Sequence, residues 1–259
     1  MATIEPIFDL KSLLPPFHEH TLPSNGMYDG VPSTIHVRGL TVKELKHLTA
    51  SGNFDKKVFD TCISACVKES IDISKLLIQD YNYLVYVVRL YTSGPSAAGT
   101  KLCSHCRKQF NFSFDITQSV ETVLLEEPLA PVTTVPLTRF KDEHGFDVSV
   151  DVKPLTRADF IKIDTAIKQS VEMSARLNQP VTTYPLTELL KVHITQISGF
   201  PVPVSKDQMI DILNVTESNL ITNAYKDDSF GLKGQADIVC PVCSTEQKYA
   251  IPFTDIFFS

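Results

Sequence analysis

The sequence predicts an α+β fold: a mainly helical body of two similar halves joined by a four-cysteine zinc ribbon, with a β-hairpin and an extended N-terminal arm. Three observations support this prediction. Two Cys-x-x-Cys motifs lie far apart, and strand-forming residues flank each of them. Several segments place apolar residues at helical spacing behind a capping residue. A short pattern of leucine, threonine and an acidic residue occurs once in each half.

The two motifs are Cys103-x-x-Cys106 and Cys240-x-x-Cys243. A tight turn with two thiols at this spacing directs both sulfur atoms to one point, and two such turns supply the four thiolates of a tetrahedral zinc site. Positions 107–239, which are 133 residues, separate the motifs. We therefore predict one structural Zn²⁺ that holds distant parts of the chain together through these four cysteines.

Other uses of the cysteines are less well supported. A redox dithiol normally opens a helix after a strand, whereas both motifs lie between strand-like runs. Residues 1–5 lack the basic and apolar parts of a secretion signal, so we expect a cytosolic setting, which disfavours disulfides. His105 is an alternative ligand, although its position beside Cys106 makes the geometry awkward. Cys62 and Cys66 are expected to be buried thiols, because no second cysteine pair remains for them.

Composition disfavours several classes of function. The 259 residues are 43% hydrophobic, which is enough for a sizeable core in one large domain or two small ones. The net charge is −6, from 24 basic and 30 acidic residues, and no basic tract is present. This balance disfavours a sequence-independent nucleic-acid interface. No apolar run approaches the length of a membrane span.

Residues 1–33 are predicted to form an extended arm. Five prolines interrupt any regular helix, yet the segment is too apolar for a solvated tail. Such a segment lies across a surface, and we favour the surface of a neighbouring protein over the chain's own body. The prolines are Pro6, Pro15, Pro16, Pro23 and Pro32, and the apolar residues are Ile4, Phe8, Leu10, Leu13, Leu14 and Phe17.

The remaining residues, 34–259, are predicted to form one body that the zinc ion holds together. Two runs of strand-forming residues, 134–140 and 146–152, flank a polar turn and predict a hairpin. A short helix is expected over 117–127. The parts of the body are a first half with the first cysteine motif (34–116), a linker with the hairpin (117–154) and a second half with the second motif (155–259).

Capping residues and apolar periodicity predict the helices of the first half. A strand at 34–37 leads to a helix that begins with a capping box of Thr41 and Glu44. A second helix is expected at about 55–67. A third helix follows Asp80 as its cap and is apolar nearly all round, which indicates a central or interfacial position.

The second half repeats this order. Thr156 and Asp159 form the same capping pattern, and a helix runs from them to about Leu177. Three further helices are predicted at 185–198, after Ser205 and after Thr216.

These parallels suggest a duplicated unit of strand, capped helix, further helices and cysteine hairpin. Asp80 precedes Cys103 by 23 positions, and Thr216 precedes Cys240 by 24. One zinc ion would tie the two halves about a pseudo-twofold axis, and neither half would complete the metal site alone.

The sequence offers no positive evidence for catalysis. It contains no glycine-rich phosphate loop, no His-Glu-x-x-His motif and no Gly-x-Ser-x-Gly elbow. A closed four-sulfur site leaves no coordination position for water or substrate. His193 lies on an apolar helix face and is expected to be a core residue. We therefore expect no enzymatic activity, no small-molecule substrate and no cofactor other than zinc.

Taken together, these residues resemble those of the small baseplate hub proteins of T-even-like bacteriophages, which have contractile tails, and of their hub-assembly relatives. The resemblance covers most of residues 35–259 and leaves out the arm. The matching features are Gly39 to Leu45, the helix from Asp80 to Arg89, Ser93-Gly94, Cys103-x-x-Cys106, Leu155 to Phe160, Cys240-x-x-Cys243 and Phe257-Phe258.

The resemblance implies a structural subunit of the tail baseplate, in the hub or the inner wedge, with zinc in a structural role. It implies a place in the virion, with assembly in the host cytoplasm. It also implies contacts with other hub, wedge and tail proteins through the arm and the outer helices. The resemblance leaves one alternative open, a hub-assembly factor that is absent from the mature virion.

Two further classes of function stay open on the residues alone. A nucleic-acid-associated zinc ribbon is one, because Phe110, Phe112 and Phe114 alternate along a strand and suit base stacking. The acidic balance argues against it, and we expect neither a nucleic-acid partner nor a membrane. A redox or zinc-dependent enzyme is the other, and it requires an open metal position or a reactive thiol.

Overall fold

The computed structural model describes residues 14–50, 55–178, 180–181, 183–225 and 230–251. Within them the chain forms nine α-helices and ten β-strands. The helices are α1 (Val42–Ala50), α2 (Lys56–Ala65), α3 (Ile78–Ser93), α4 (Ile116–Ser119), α5 (Thr138–His144), α6 (Arg157–Leu177), α7 (Pro185–His193), α8 (Lys206–Ile212) and α9 (Val215–Thr222). The strands are β1 (His18–Thr21), β2 (Thr34–Val37), β3 (Ser96–Leu102), β4 (Gln109–Asp115), β5 (Val120–Val123), β6 (Thr133–Pro136), β7 (Ser149–Val152), β8 (Ile194–Ser198), β9 (Gly231–Val239) and β10 (Glu246–Ala250).

The strands form four small antiparallel sheets, ordered β1-β2, β3-β4, β10-β9-β5 and β6-β7-β8. The fold therefore mixes helices and strands, with more strand than the predicted mainly helical body implies. Among the described residues, no helix is both long enough and apolar enough to span a bilayer.

Four groups of buried side chains lie under these elements, and the smallest consists of Leu77, Leu125 and Phe230. The largest core gathers β2, the connection between β1 and β2, and the helices α1 to α3. A second core lies between the β6-β7-β8 sheet and the helices α5, α7, α8 and α9. A third, small core joins the β3-β4 and β9-β10 hairpins around the cysteine motifs. The cysteine hairpins thus have a core of their own.

Part of the segment that the sequence assigned to the arm packs on the chain's own body. β1 pairs with β2. Leu22 is fully buried, and its N–H donates to the carbonyl of Ser33 at 2.9 Å. Val31 is buried in the same core. Residues 18–33 therefore lie against the first half of the chain, and the preference for a neighbouring protein is wrong for them. Residues 1–13 lie outside the described residues.

The two predicted capping boxes are confirmed. The N–H of Thr41 donates to the Glu44 carboxylate at 2.7 Å, and the N–H of Glu44 donates to the Thr41 hydroxyl at 3.3 Å. Thr156 and Asp159 exchange the same two hydrogen bonds at the start of α6. These local residues fix where α1 and α6 begin, because a capping box satisfies N–H groups that the first helical turn leaves free.

The third helix is central, as predicted, but begins earlier than its apolar pattern indicates. α3 starts at Ile78, so Asp80 lies within the first turn and is not the cap. Most of α3 is buried. Arg89 near its end is 1% exposed, and its guanidinium donates to the carbonyl groups of Gly94 and Ser96.

Three of the expected helices are wrong in part. The helix expected over 117–127 ends at Ser119, and the following β-branched run Val120–Val123 pairs with β9 instead. The helix expected over 185–198 ends at His193, and Ile194–Ser198 adds a strand to β7. The last helix is capped by Asn214 and not by Thr216. In the first two cases, pairing with a distant strand overrides the local pattern.

The predicted hairpin of the linker is correct in its pairing and wrong in its connection. β6 and β7 are antiparallel neighbours. The chain between them forms the helix α5, which ends at Gly145 with a positive φ of 75°. The predicted strands 134–140 and 146–152 are therefore too long at their inner ends.

The β1-β2 pair and the β6-β7 pair have the same architecture. Each β6-β7 position is numbered 115 higher than its β1-β2 counterpart: His18 pairs with Val37, and Thr133 pairs with Val152. The connections also match, because the N–H of Leu137 donates to the carbonyl of Val148 at 2.9 Å, as that of Leu22 does to Ser33. The capping boxes of α1 and α6 keep the same numbering difference.

The match continues beyond these pairs with larger numbering differences. After β2, the N–H of Arg38 donates to the carbonyl of Cys66. After β7, the N–H of Lys153 donates to the carbonyl of His193. His193 is numbered 127 higher than Cys66. Further on the difference is 137. The helices α3 and α9 begin at Ile78 and Val215, the two Cys-x-x-Cys turns keep the same difference, and Gly94 and Gly231 both have positive φ.

One pair of matching positions carries different chemistry in the two halves. Asp80 is fully buried, and its Oδ1 accepts a hydrogen bond from the N–H of Ser24 at 2.8 Å. Its Oδ2 has no hydrogen-bond partner among the described residues. At the matching positions, the buried carboxylate of Glu217 accepts two hydrogen bonds, at 3.0 and 2.9 Å, from the guanidinium of Arg139. Among the described residues, Glu217 has a cation as its partner and Asp80 has none.

We predict that Asp80→Asn stabilises the protein at pH 7.5. Burial raises the pKa of Asp80 to about 6 from 3.8, so the folded state binds its proton more tightly than the unfolded state. This group therefore lowers stability as pH rises through about 4 to 6. The amide keeps the acceptor for Ser24 without the charge. Urea unfolding should show a gain of roughly 1–3 kcal/mol at pH 7.5 and a smaller gain at pH 5.5.

Glu217→Gln is the matched control and should have the opposite effect. It removes the buried negative charge that pairs with Arg139, so the free energy of unfolding should fall. Equal destabilisation by both variants at pH 7.5 would contradict the assignment of Asp80 as an uncompensated buried charge.

Candidate metal centre

The first Cys-x-x-Cys motif forms the turn between β3 and β4. The N–H of Cys103 donates to the carbonyl of Lys108 at 2.9 Å, and the N–H of Arg107 donates to the carbonyl of Cys103 at 3.1 Å. Arg107 has a positive φ of 59°, which turns the chain sharply after Cys106. The N–H of Cys106 points at the Cys103 sulfur at 3.5 Å. These contacts place both thiols on one side of the turn.

The second motif forms the same turn between β9 and β10. The N–H of Cys240 donates to the carbonyl of Thr245 at 3.0 Å, and the N–H of Ser244 donates to the carbonyl of Cys240 at 2.8 Å. Ser244 has a positive φ of 58°, as Arg107 has in the first turn. Two equivalent turns therefore present two pairs of thiols.

The hairpins bring the four thiols together. The sulfur atoms of Cys103 and Cys243 are 3.6 Å apart, and those of Cys106 and Cys240 are 3.8 Å apart. All four sulfur atoms lie within 4.8 Å of one another. Thiolates bound to zinc at about 2.3 Å in a tetrahedron are about 3.8 Å apart, whereas a disulfide requires about 2.0 Å. The sulfur positions therefore fit a metal ion and do not fit disulfides.

The surroundings of the thiols suit thiolate ligands. The hydroxyl of Thr245 lies 3.2 Å from the Cys243 sulfur and, with the Thr245 N–H, lowers the pKa of Cys243 to about 5. The N–H of Cys106 lowers the pKa of Cys103. The N–H of Lys108 acts in the same direction on Cys106, but burial and the neighbouring sulfurs outweigh it and raise that pKa to about 11. Four close thiolates need a cation to be stable together.

Gln247 links the two hairpins beside the sulfurs. Its Nε2 donates to the Cys103 sulfur at 3.2 Å, and its Oε1 accepts from the N–H of Ser104 at 3.1 Å. An amide that donates to a ligand sulfur orients the ligand and stabilises its negative charge. Sequence analysis missed Gln247, because nothing in the spacing of β10 indicates a contact with the first motif.

The site is closed on its inner side. Cys103 and Cys240 are fully buried against Phe110, Ala236 and Ile238, while Cys106 and Cys243 are partly exposed. A tetrahedral ion held by all four sulfurs would have no free coordination position. Such a site can fix the two hairpins against each other, and it gives no place for a substrate.

The predicted metal residues are the ones that the fold brings together. Among the described residues, the four cysteines are the one group of three or more metal-binding side chains that could hold an ion, and His105 is not part of it. Cys62 and Cys66 are buried in and after α2, as expected, and burial raises the pKa of Cys66 to about 12.

Comparison with known protein families identifies a match. The family model described as "T4 bacteriophage base plate protein" matches residues 16–198, more than half of the chain. The chain belongs to this family. The family resemblance expected from the sequence is confirmed, and the protein is a phage baseplate protein of the tail. No curated protein and no solved structure matches it.

The boundaries of the match differ from the expected ones. The match begins at residue 16, so it includes much of the segment that sequence analysis left out of the resemblance. It ends at residue 198, so the second cysteine motif of this baseplate protein lies beyond it. The family match thus covers one half of the cysteine cluster.

We predict that the purified baseplate protein holds one zinc ion per chain, and that Cys103→Ser or Cys240→Ser removes it. Three thiolates and a hydroxyl bind zinc less tightly than four thiolates, and the loss should lower the melting temperature by about 10 °C or more. Elemental analysis and thermal unfolding measure both effects. Cys62→Ala is the control and should keep the metal. Full zinc content in the Cys240 variant would contradict the site.

We also predict that Gln247→Ala weakens zinc binding about 10-fold, because it removes the hydrogen bond to the Cys103 sulfur. Competition with a chromophoric chelator measures the affinity. Lys248→Ala changes the adjacent exposed residue and should leave the affinity unchanged. Equal affinities for both variants would show that Gln247 does not support the site.

Proposed function

We propose that this chain is a structural subunit of a contractile phage tail baseplate, in the hub or the inner wedge, and that one Zn²⁺ bound by Cys103, Cys106, Cys240 and Cys243 joins its two halves. One observation carries the proposal: within a baseplate family member, four sulfurs from hairpins far apart in sequence lie at the separation that tetrahedral zinc requires. Family membership supports the role in the baseplate, and the positions of the four sulfurs support the structural ion.

The matching arrangement of elements supports the two-halves part of this proposal. The strand pairs, the capping boxes, the helices α3 and α9 and the cysteine turns occur in the same order in residues 14–123 and in residues 133–251. The numbering difference grows from 115 to 127 to 137, which corresponds to two insertions in the second half. We infer that the domain is a duplicated unit, 14–123 and 133–251, and that each copy contributes one cysteine pair to the ion.

The proposed zinc ion acts as a cross-link and not as a catalyst. The two motifs lie 133 residues apart, so the ion would close a long loop whose ends have much conformational freedom in the unfolded chain. Structural zinc contributes roughly 10–16 kcal/mol of apparent binding free energy in small finger peptides. An ion of this strength would hold outer helices in fixed relative positions, which suits a subunit that presents rigid contact surfaces. We propose that the chain has no enzymatic activity.

The proposed partners are other hub, wedge and tail proteins, through the outer helices and residues 1–13, with assembly in the host cytoplasm before incorporation into the virion. A hub-assembly factor absent from the mature virion is the alternative. The nucleic-acid alternative is weakened by packing, because Phe112 and Phe114 lie 4.8 and 6.0 Å, between ring centroids, from Tyr249 of the second hairpin. These rings are engaged between the hairpins.

Particle composition tests the proposal. Mass spectrometry of purified phage particles should detect this chain in wild-type virions and should find it depleted when the phage carries Cys240→Ser, because a loosened body cannot present fixed contacts. Phage with Cys62→Ala should incorporate the chain normally. Absence of the chain from wild-type particles would overturn the permanent-subunit role and favour the assembly factor.

A further inference from the structure

The two halves touch through a contact between residues 76–78 of the first half and residues 155–157 of the second. The N–H of Ile78 donates to the carbonyl of Leu155 at 3.1 Å, and the N–H of Arg157 donates to the carbonyl of Leu76 at 2.9 Å. This pair of hydrogen bonds joins Leu77 and Thr156 in an isolated antiparallel bridge. The start of α6, in the second half, therefore docks on the start of α3, in the first half.

Side chains reinforce this contact. The Arg157 guanidinium donates to both oxygens of Asp60, at 3.0 and 3.1 Å, and lies over the ring of Tyr81 at 4.3 Å. The Tyr81 hydroxyl donates to Asp60 at 2.6 Å. Arg157 is only 5% exposed. The contact is thus well packed and specific.

Each half contains a segment that matches each side of this contact. One segment in each half takes part in the contact, and the other does not. The residues of the first half that match 155–157 are 40–42, and the residues of the second half that match 76–78 are 213–215. These two surfaces do not meet within the chain. Val42 is 70% exposed and Val215 is 78% exposed. Each chain therefore has two unused surfaces, one at the start of α1 and one at the start of α9.

Both unused surfaces carry exposed apolar residues. Near Val42 at the start of α1, Leu45 is 39% exposed. Near Val215 at the start of α9, Ile212 is 46% exposed, and Leu186, which matches the buried Phe59 of the first half, is 50% exposed. Clustered apolar residues that stay in water mark surfaces for protein contact.

The backbone groups that would make the bridge are also free. In the part of the chain that the structure describes, no hydrogen bond reaches the N–H of Val42 or Val215, or the carbonyl of Leu40 or Leu213. These are the groups that match the donors and acceptors of the contact between the halves. These groups, unbonded within the described part of the chain, are therefore free to complete a strand-like bridge of the same form with another molecule.

We propose that a second copy of this chain supplies that molecule, and that copies associate head to tail by repeating the contact between the halves. The start of α1 of one copy docks on the start of α9 of the next. In this contact, Val42 occupies the position that Arg157 has in the contact between the halves, and Thr187 occupies the position of Asp60. The contact between copies is therefore apolar rather than ionic. A contact between two different surfaces is heterologous, and it adds copies in a ring or a row.

Two single variants test the proposal when they are mixed. Val42→Asp removes one surface and Val215→Asp removes the other, so each variant alone should sediment at the mass of one chain, 28.8 kDa. The two variants mixed in equal amounts should form a complex of twice that mass, because each supplies the surface that the other lacks. The wild-type chain should form larger species as its concentration rises. All proteins keep the four cysteines and are measured with zinc present.

Controls separate association from folding. Val202→Asp changes another exposed valine and should associate like the wild type, and circular dichroism should show that both test variants melt like the wild type. A wild-type chain that stays at the mass of one chain up to about 100 μM, well above micromolar dissociation constants, would overturn the proposal. So would a mixture of the two folded variants that stays at that mass, or continued association by each variant alone.

Discussion

The meeting of two cysteine hairpins is the constraint on which the rest of this fold depends. Each hairpin is a short two-stranded element that would be marginal alone. Together they enclose four sulfurs, of which Cys103 and Cys240 have no contact with solvent. Four ionised thiols at these distances repel one another. A divalent cation bound between them would offset this repulsion. The proposed metal ion would therefore explain why two distant turns share one core.

The comparison of the two halves shows which features of the unit resist change. Backbone hydrogen bonds recur at matching positions, such as those from Leu22 and Leu137. Side-chain chemistry at matching positions has changed: a buried thiol at Cys66 becomes a buried imidazole at His193, which contacts the carbonyl of Ile221 at 3.1 Å. The backbone framework tolerates these exchanges because its register is set by strand pairing and caps, and not by any one core residue.

Local chemistry decided what the sequence could reveal. The cysteine turns and the capping boxes at Thr41 and Thr156 were predictable, because three or four adjacent residues specify them. The strands β1, β5 and β8 were missed, because each is only four or five residues long and is stabilised by a partner far away in sequence. The numbering difference between matching elements changes along the chain, so most of these matches are hard to see in the sequence.

The end of α3 has a consequence for solubility. The positions of β9 that match Gly94 and Ser96 are Gly231 and Lys233, and their carbonyl groups face the paired strand β5. In the first half, the carbonyl groups of Gly94 and Ser96 accept hydrogen bonds from the guanidinium of Arg89. An exposed strand edge invites uncontrolled pairing with other chains, and a charged side chain over its acceptors blocks such pairing. Among the described residues, β3 has no partner strand on this edge, and the Arg89 side chain occupies two of its acceptors, which disfavours pairing with another chain.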